Sequence, residues 1–177
     1  MTETPQVRRY EDPTGTHAVH VAVSAGQPAP ALSSWGTVDM SQFPTGLTTA
    51  QGREVRVELV GVAKREFDVL GHVLASCALD VATGALTPVP DAIFPDAVSV
   101  NDERVACRHA LLTLPFMWGE DGIPDLDKDD RVTTWLQVVP VTDAERVYAG
   151  EHGADALAAE FERTKVDVLD PWRPSAV

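Results

Sequence analysis

Residues 108–155 read RHALLTLPFMWGEDGIPDLDKDDRVTTWLQVVPVTDAERVYAGEHGAD, and this stretch decides the fold. His109 to Leu114 and Val132 to Val139 are apolar on both faces, as expected of two central strands. Between them lies an acidic segment broken by Gly122 and Pro124, which cannot continue either strand. Pro140 ends the second strand. Thr142-Asp143-Ala144-Glu145 then has the spacing of a capping box, in which the hydroxyl and the carboxylate each satisfy an otherwise orphaned amide. The predicted helix runs to about His152 and breaks at Gly153. A second helix follows, with Ala154, Leu157, Ala158 and Phe161 on one apolar face.

Working towards the N-terminus, Glu54 to Val60 alternates cleanly. Val55, Val57 and Leu59 are expected to face the core, and Glu54, Arg56 and Glu58 to face out. Glu66 to Ala82 predicts the longest helix, with Phe67, Leu70, Leu74, Cys77 and Val81 on one stripe and Gly84 as its stop. Gly71 within it costs about 1 kcal/mol relative to alanine, so packing must hold it. His17 to Ser24 reads as a half-buried strand, with at most one further short strand near Ala31–Trp35 in the Gly/Pro-rich stretch 25–50. Residues 85–101 suggest irregular edge strands. Residues 1–16 read as a loose terminus and 166–177 as an extended tail. The expectation is one α+β domain over residues 1–177, with a mixed sheet of about five or six strands and three main helices.

Composition narrows the function. The net charge of −13 disfavours nucleic-acid binding, which needs a basic footprint. It suits a protein partner with a basic surface. No apolar run is long enough for a membrane span and no secretory leader is evident, so a cytoplasmic protein is expected. Cys77 and Cys107 sit in apolar surroundings and read as free, buried thiols.

Catalytic motifs are lacking: there is no G-x-G-x-x-G, P-loop, G-x-S-x-G, C-x-x-C or H-E-x-x-H. His17 and His20 fall on opposite faces of a strand, which does not suit a shared metal. Cys107 and His109 share a strand face, but no third group orients them as a nucleophilic pair. Asp125, Asp127 and Asp129 alternate as in a calcium loop. The turn glycine is replaced by Asp130 and the twelfth-position glutamate by Leu136, so no metal is expected. Neither a cofactor nor a catalytic residue is expected.

Of the four tryptophans, Trp135 reads as core. Trp35 and Trp118 read as loop-edge aromatics beside acidic residues, the composition of a binding hot spot.

Several segments resemble the Suppressor of fused family, in that family's order. LSSWGTVDM at 32–40 resembles its serine-aromatic-glycine element followed by an acidic residue, although a leucine-serine-aspartate run is more usual there. REVRVELVGVAKRE at 53–66 resembles its glutamate-containing strand. RHALLTLPFMWGED at 108–121 and TTWLQVVPVTDAERVYAGEHGADAL at 133–157 resemble the strand, loop, strand and helix that close its domain. VDVLDPWRPSAV at 166–177 resembles the ending of bacterial members. The resemblance implies a mixed α/β domain that binds protein and is not an enzyme. Short bacterial members resemble immunity proteins, which neutralise a cognate toxin, often a basic nuclease. The expected partner is therefore such a toxin domain, and the candidate contact residues are Trp35, Asp39, Trp118, Glu120, Asp121, Asp125, Asp127 and Asp129. Two rival readings are an adaptor that adds a partner peptide to a sheet edge and a hydrolase using Cys107 or the aspartate loop.

Overall fold

A computed structural model describes residues 4–119 and 122–177. Its spine is a pair of long strands, β4 (Glu54–Lys64) and β8 (Arg131–Val141), which run parallel with Glu54 opposite Arg131 and Val60 opposite Gln137. Every other pairing is antiparallel. On one side, β1 (Gln6–Glu11), β2 (Ala18–Ala25) and β3 (Leu32–Thr37) form a meander ending on β4. On the other, β8 pairs with β6 (His109–Thr113), and β6 with the two-residue β5 (Ile93–Phe94). A short β7 (Leu126–Asp127) pairs with the start of β8. The sheet therefore has eight strands in the order β1-β2-β3-β4-β8-β6-β5, with β7 off that path. It is mixed, as expected, with a few more strands than expected.

Helix α1 (Leu70–Ala82) packs across β2, β3 and β4. It starts later than the apolar stripe suggests. Residues before Leu70 form turns, and the Phe67 amide closes one of them on the Lys64 carbonyl, while the Phe67 ring still enters the core. Gly84, with φ of 72°, ends the helix as predicted. Gly71 has a packing reason. A Cβ there would lie 2.6 Å from the Trp35 ring and 2.8 Å from the Tyr10 hydroxyl, so glycine lets α1 approach the sheet.

Because side chains alternate along strands, Leu59, Leu136, Val138, Ala110 and Leu112 face α1 in the main core, and Leu111 and Val141 face the other way. On that second face lie α2 (Asp143–His152) and α3 (Ala154–Thr164), which pack on each other. Leu111, Val141 and Leu157 form the small core there, with Val139 buried beside Leu111.

Several expectations need correction. The N-terminal stretch is not loose, since Gln6–Glu11 is an edge strand. Its residues are nearly all exposed, so it lacks the apolar alternation that would reveal a strand. Glu58 does not face solvent: it is buried, and it accepts from the Thr37 hydroxyl and from the Met40 and Ser41 amides at 3.1 and 3.0 Å. Arg56 donates to the Ser41 and Gln42 carbonyls. The chain after β3 is thus stitched to β4 by two of the three side chains that alternation assigned to the surface. In 85–101 only Ile93–Phe94 pairs.

The tail is held against the domain. The Trp172 ring meets Phe67 edge-on at 5.5 Å, and Arg173 is buried against the fully buried Glu145. Glu145 also closes the predicted capping box on α2: its carboxylate accepts from the Thr142 amide at 2.9 Å and its amide donates to the Thr142 hydroxyl at 3.2 Å. The Ala176 amide adds a further donor to that carboxylate.

Candidate protein-binding surface

After β6 the chain passes Pro115 and makes one helical turn, Phe116–Trp118, whose Met117 amide donates to Gln137 Oε1 at 3.2 Å. Gln137 is buried in β8, so this contact pins the turn to the sheet. Gly119 and Gly122 both have positive φ and reverse the chain. A second tie follows, with Trp135 Nε1 donating to the Pro124 carbonyl at 3.1 Å. Between the two ties lies a cleft of about 570 Å³ lined by Leu114, Phe116, Ile123, Pro124, Asp125 and Trp135. The lining mixes apolar side chains with polar groups, and hydrogen bonds to rigid strands flank it, a geometry that suits a binding site.

The structure separates the eight predicted contact residues. Trp35 is a correction: it lies within β3, only 5% exposed and packed under α1, so it is core and not a loop-edge aromatic. Asp39 is half-buried and accepts from the His20 amide at 2.7 Å and from its Nδ1 at 2.6 Å, clipping β2 to the segment after β3. Trp118 is half-buried in the pinned turn. Asp125, Asp127 and Asp129 are exposed. Asp127 is neutralised by Arg53, whereas Asp125 and Asp129 have no ion pair among the described residues. Glu120 and Asp121 lie outside the described residues. The acidic segment is also not wholly loop, because Leu126 and Asp127 pair with Thr133 and Val132.

Three residues of this surface escaped the sequence reading: Leu114 and Phe116, which are 67% and 52% exposed, and Trp135, which is half-buried rather than core. The available signal was the run Leu114 to Trp118, a cluster of large apolar residues beside proline in a segment too irregular to be strand. Trp135 was hidden by its setting, since an apolar residue in a central strand ordinarily packs inside.

The reactive side chains are occupied. His109 is buried, with Nδ1 accepting from the Asp96 amide at 2.9 Å and Nε2 donating to Asp143 at 2.8 Å. Neither nitrogen is left for Cys107. Burial pushes the Cys107 thiol up to about 12 and raises Cys77 as well, so neither supplies a thiolate near neutrality. Both are free. Among the described residues no three His, Cys, Asp or Glu side chains converge as metal ligands, and no helix is long and apolar enough to cross a membrane.

Comparison with known proteins agrees with this architecture. The sequence model of the Suppressor of fused protein family matches residues 15–174. Immunity protein YqcF of Bacillus subtilis (strain 168) is 27% identical over 173 residues, covering 98% of this chain and 89% of that protein. A Suppressor of fused homolog from Neisseria gonorrhoeae superposes with a TM-score of 0.69 at 17% identity, over 98% of this chain and 88% of its own. A chain of the Sufu–Fu complex superposes with a TM-score of 0.61 at 12% identity, over 89% of this chain and 77% of its own. Drosophila Suppressor of fused gives 0.61 at 11% identity, with this chain spanning 42% of it.

Proposed function

The chain belongs to the Suppressor of fused family, and from that premise we propose that it acts by binding a partner protein, without catalysis, as an immunity protein that occludes a toxin domain. The observation that carries this reading is the pinned surface at Leu114–Trp135. Large apolar side chains stand exposed around a preformed cleft, and the carboxylates beside it, Asp125 and Asp129, lack ion pairs among the described residues. Exposed aromatics rimmed by charge concentrate binding energy at the centre and steer encounter from the rim. The immunity name of the Bacillus relative supports a toxin as the partner. The net charge of −13 suits a basic one, such as a nuclease.

A second reading is an adaptor that adds a partner peptide to a sheet edge. The edge strand β1 is open to it, but Arg8, Arg9 and Glu11 place charge along that edge, which opposes strand addition.

The test is coexpression with a toxin domain, sought among the genes beside this chain's own. Growth should be restored, and the two purified proteins should associate. Asp125→Asn with Asp129→Asn should slow association and flatten its salt dependence. Trp118→Ala should mainly speed dissociation. A folded protein that neither protects nor binds would end this reading.

A further inference from the structure

A second cleft, of about 640 Å³, lies on the other side of Phe116 from the surface just described. The sheet supplies its floor through Leu111 and Val139, and α3 supplies a wall through Ala158 and Phe161. The apolar face of α3 is therefore only partly used. Leu157 is fully buried in the small core against β6 and β8, while Ala158, one residue on, is exposed. A helix face that is apolar beyond what the domain covers is a surface awaiting a partner. The rim is one-signed. Asp91, Asp155 and Glu162 stand at it, and no lysine or arginine lines the cleft. Leu114 and Phe116 line this cleft and the smaller one alike, so the two form one track running from α3 to Asp125, with carboxylates at both ends.

We infer that this track receives a segment of the partner protein bearing large apolar side chains at its centre and Lys or Arg on both flanks. The inference rests on the protein-binding reading above and adds the place and the chemistry of the contact. The volume suits several side chains, within the range of about 300–1,000 Å³ typical of built sites. Two clefts that share Leu114 and Phe116 suit a chain segment better than a compact ligand. The apolar centre supplies the buried contact, and the acidic ends select the flanks and fix which way the segment lies.

The test uses the full isotope-labelled chain and three synthetic peptides of equal length, followed by amide chemical shifts. One peptide has a Leu/Phe centre with Lys flanks, one the same centre with Glu flanks, and one a Ser centre with Lys flanks. The first should shift the amides of Leu111, Thr113, Ala158 and Phe161, and added salt should weaken it. The other two should bind at least about tenfold more weakly, a difference of about 1.4 kcal/mol. Ala158→Glu places charge in the cleft at an exposed helix position, and it should abolish the shifts while leaving the rest of the spectrum unchanged.

Equal binding of all three peptides, shifts confined to another face, or no shifts at millimolar peptide would overturn the inference. So would tighter binding of a free fatty acid at the same amides, or cleft shifts that follow protein concentration with no peptide present, which would mean a second copy. Growth protection separates the two proposals. Full protection by Ala158→Glu would remove the cleft from the interface and leave the immunity reading standing. Peptide docking without any protection by the wild-type chain would remove the immunity reading and leave the cleft.

Discussion

The two faces of the sheet are finished differently. Under α1 the packing is continuous: Val19, Leu59, Val73, Leu74, Phe94, Ala110 and Leu112 are completely covered, and Gly71 is needed for the helix to come close enough. Over β6 and β8 the core that α2 and α3 complete is small, Leu111, Val141 and Leu157 with Val139 buried beside them, and a cleft remains open next to it. The first face is built for stability. The second is held in place mainly by polar locks at its margin, Glu145 with Arg173 and His109 with Asp143, and this leaves its apolar middle free. Stability and binding surface are thus divided between opposite sides of one sheet.

If that division is right, mutations should rank accordingly. Arg173→Ala should have the largest effect. It strands the carboxylate of Glu145 in the interior and should cost about 3–5 kcal/mol in urea unfolding. A loss under 1 kcal/mol by that assay (about the value of an exposed pair) would mean that the lock is not holding α2 and the tail. Gly71→Ala comes next and is a test of sign. On an exposed helix the change gains about 1 kcal/mol. Here the added methyl meets the Trp35 ring at 2.6 Å, so a net loss of about 1–3 kcal/mol is expected. Thr142→Ala removes the hydroxyl of the capping box and should cost about 0.5–2 kcal/mol.

Acid should act more gently and mainly through the margins. Asp96 and Asp170 are held below the ordinary aspartate range by hydrogen bonds from Arg108 and Lys64. The unfolded chain binds those protons more readily, so the stability they provide is complete above about pH 4 and drains as the pH falls further. Asp80 on α1, raised by burial, works in the opposite sense. The urea midpoint should therefore fall below about pH 4, and Lys64→Met should make that fall shallower. Phe116→Ser should have the smallest effect on stability, within about 0.5 kcal/mol as at other exposed sites. Its consequence should appear as faster partner dissociation. A large stability loss there would mean that Phe116 belongs to the core after all.

What the sequence revealed follows the same division. Alternation in β4, the apolar run of β8, the apolar stripe of α1 and the Thr142–Glu145 cap were legible because each is a local pattern with a single physical cause. Glu58 and Trp35 misled because their surroundings are set by the chain after β3 and by α1, whose positions no local pattern encodes. The edge strand β1 was invisible for the opposite reason: it buries almost nothing, and burial is what periodicity reports. At the candidate site the acidic segment and Trp118 stood out, whereas the cleft did not. It depends on Gln137 and Trp135 reaching across from β8 to fix a turn that precedes them in the chain.

The parallel pairing of β4 with β8 also bears on how the chain is made. Glu54 must meet Arg131, so the whole crossover has to be synthesised before the middle of the sheet can close. Contacts so distant in sequence slow folding. Until they form, the meander β1–β4 presents one bare edge of β4, a strand nearly all of whose second half is buried in the finished protein. An unpaired apolar edge of that kind invites pairing with other chains. During translation the hazard lies at the centre of the future sheet, and it ends only when β8 arrives to fill the place.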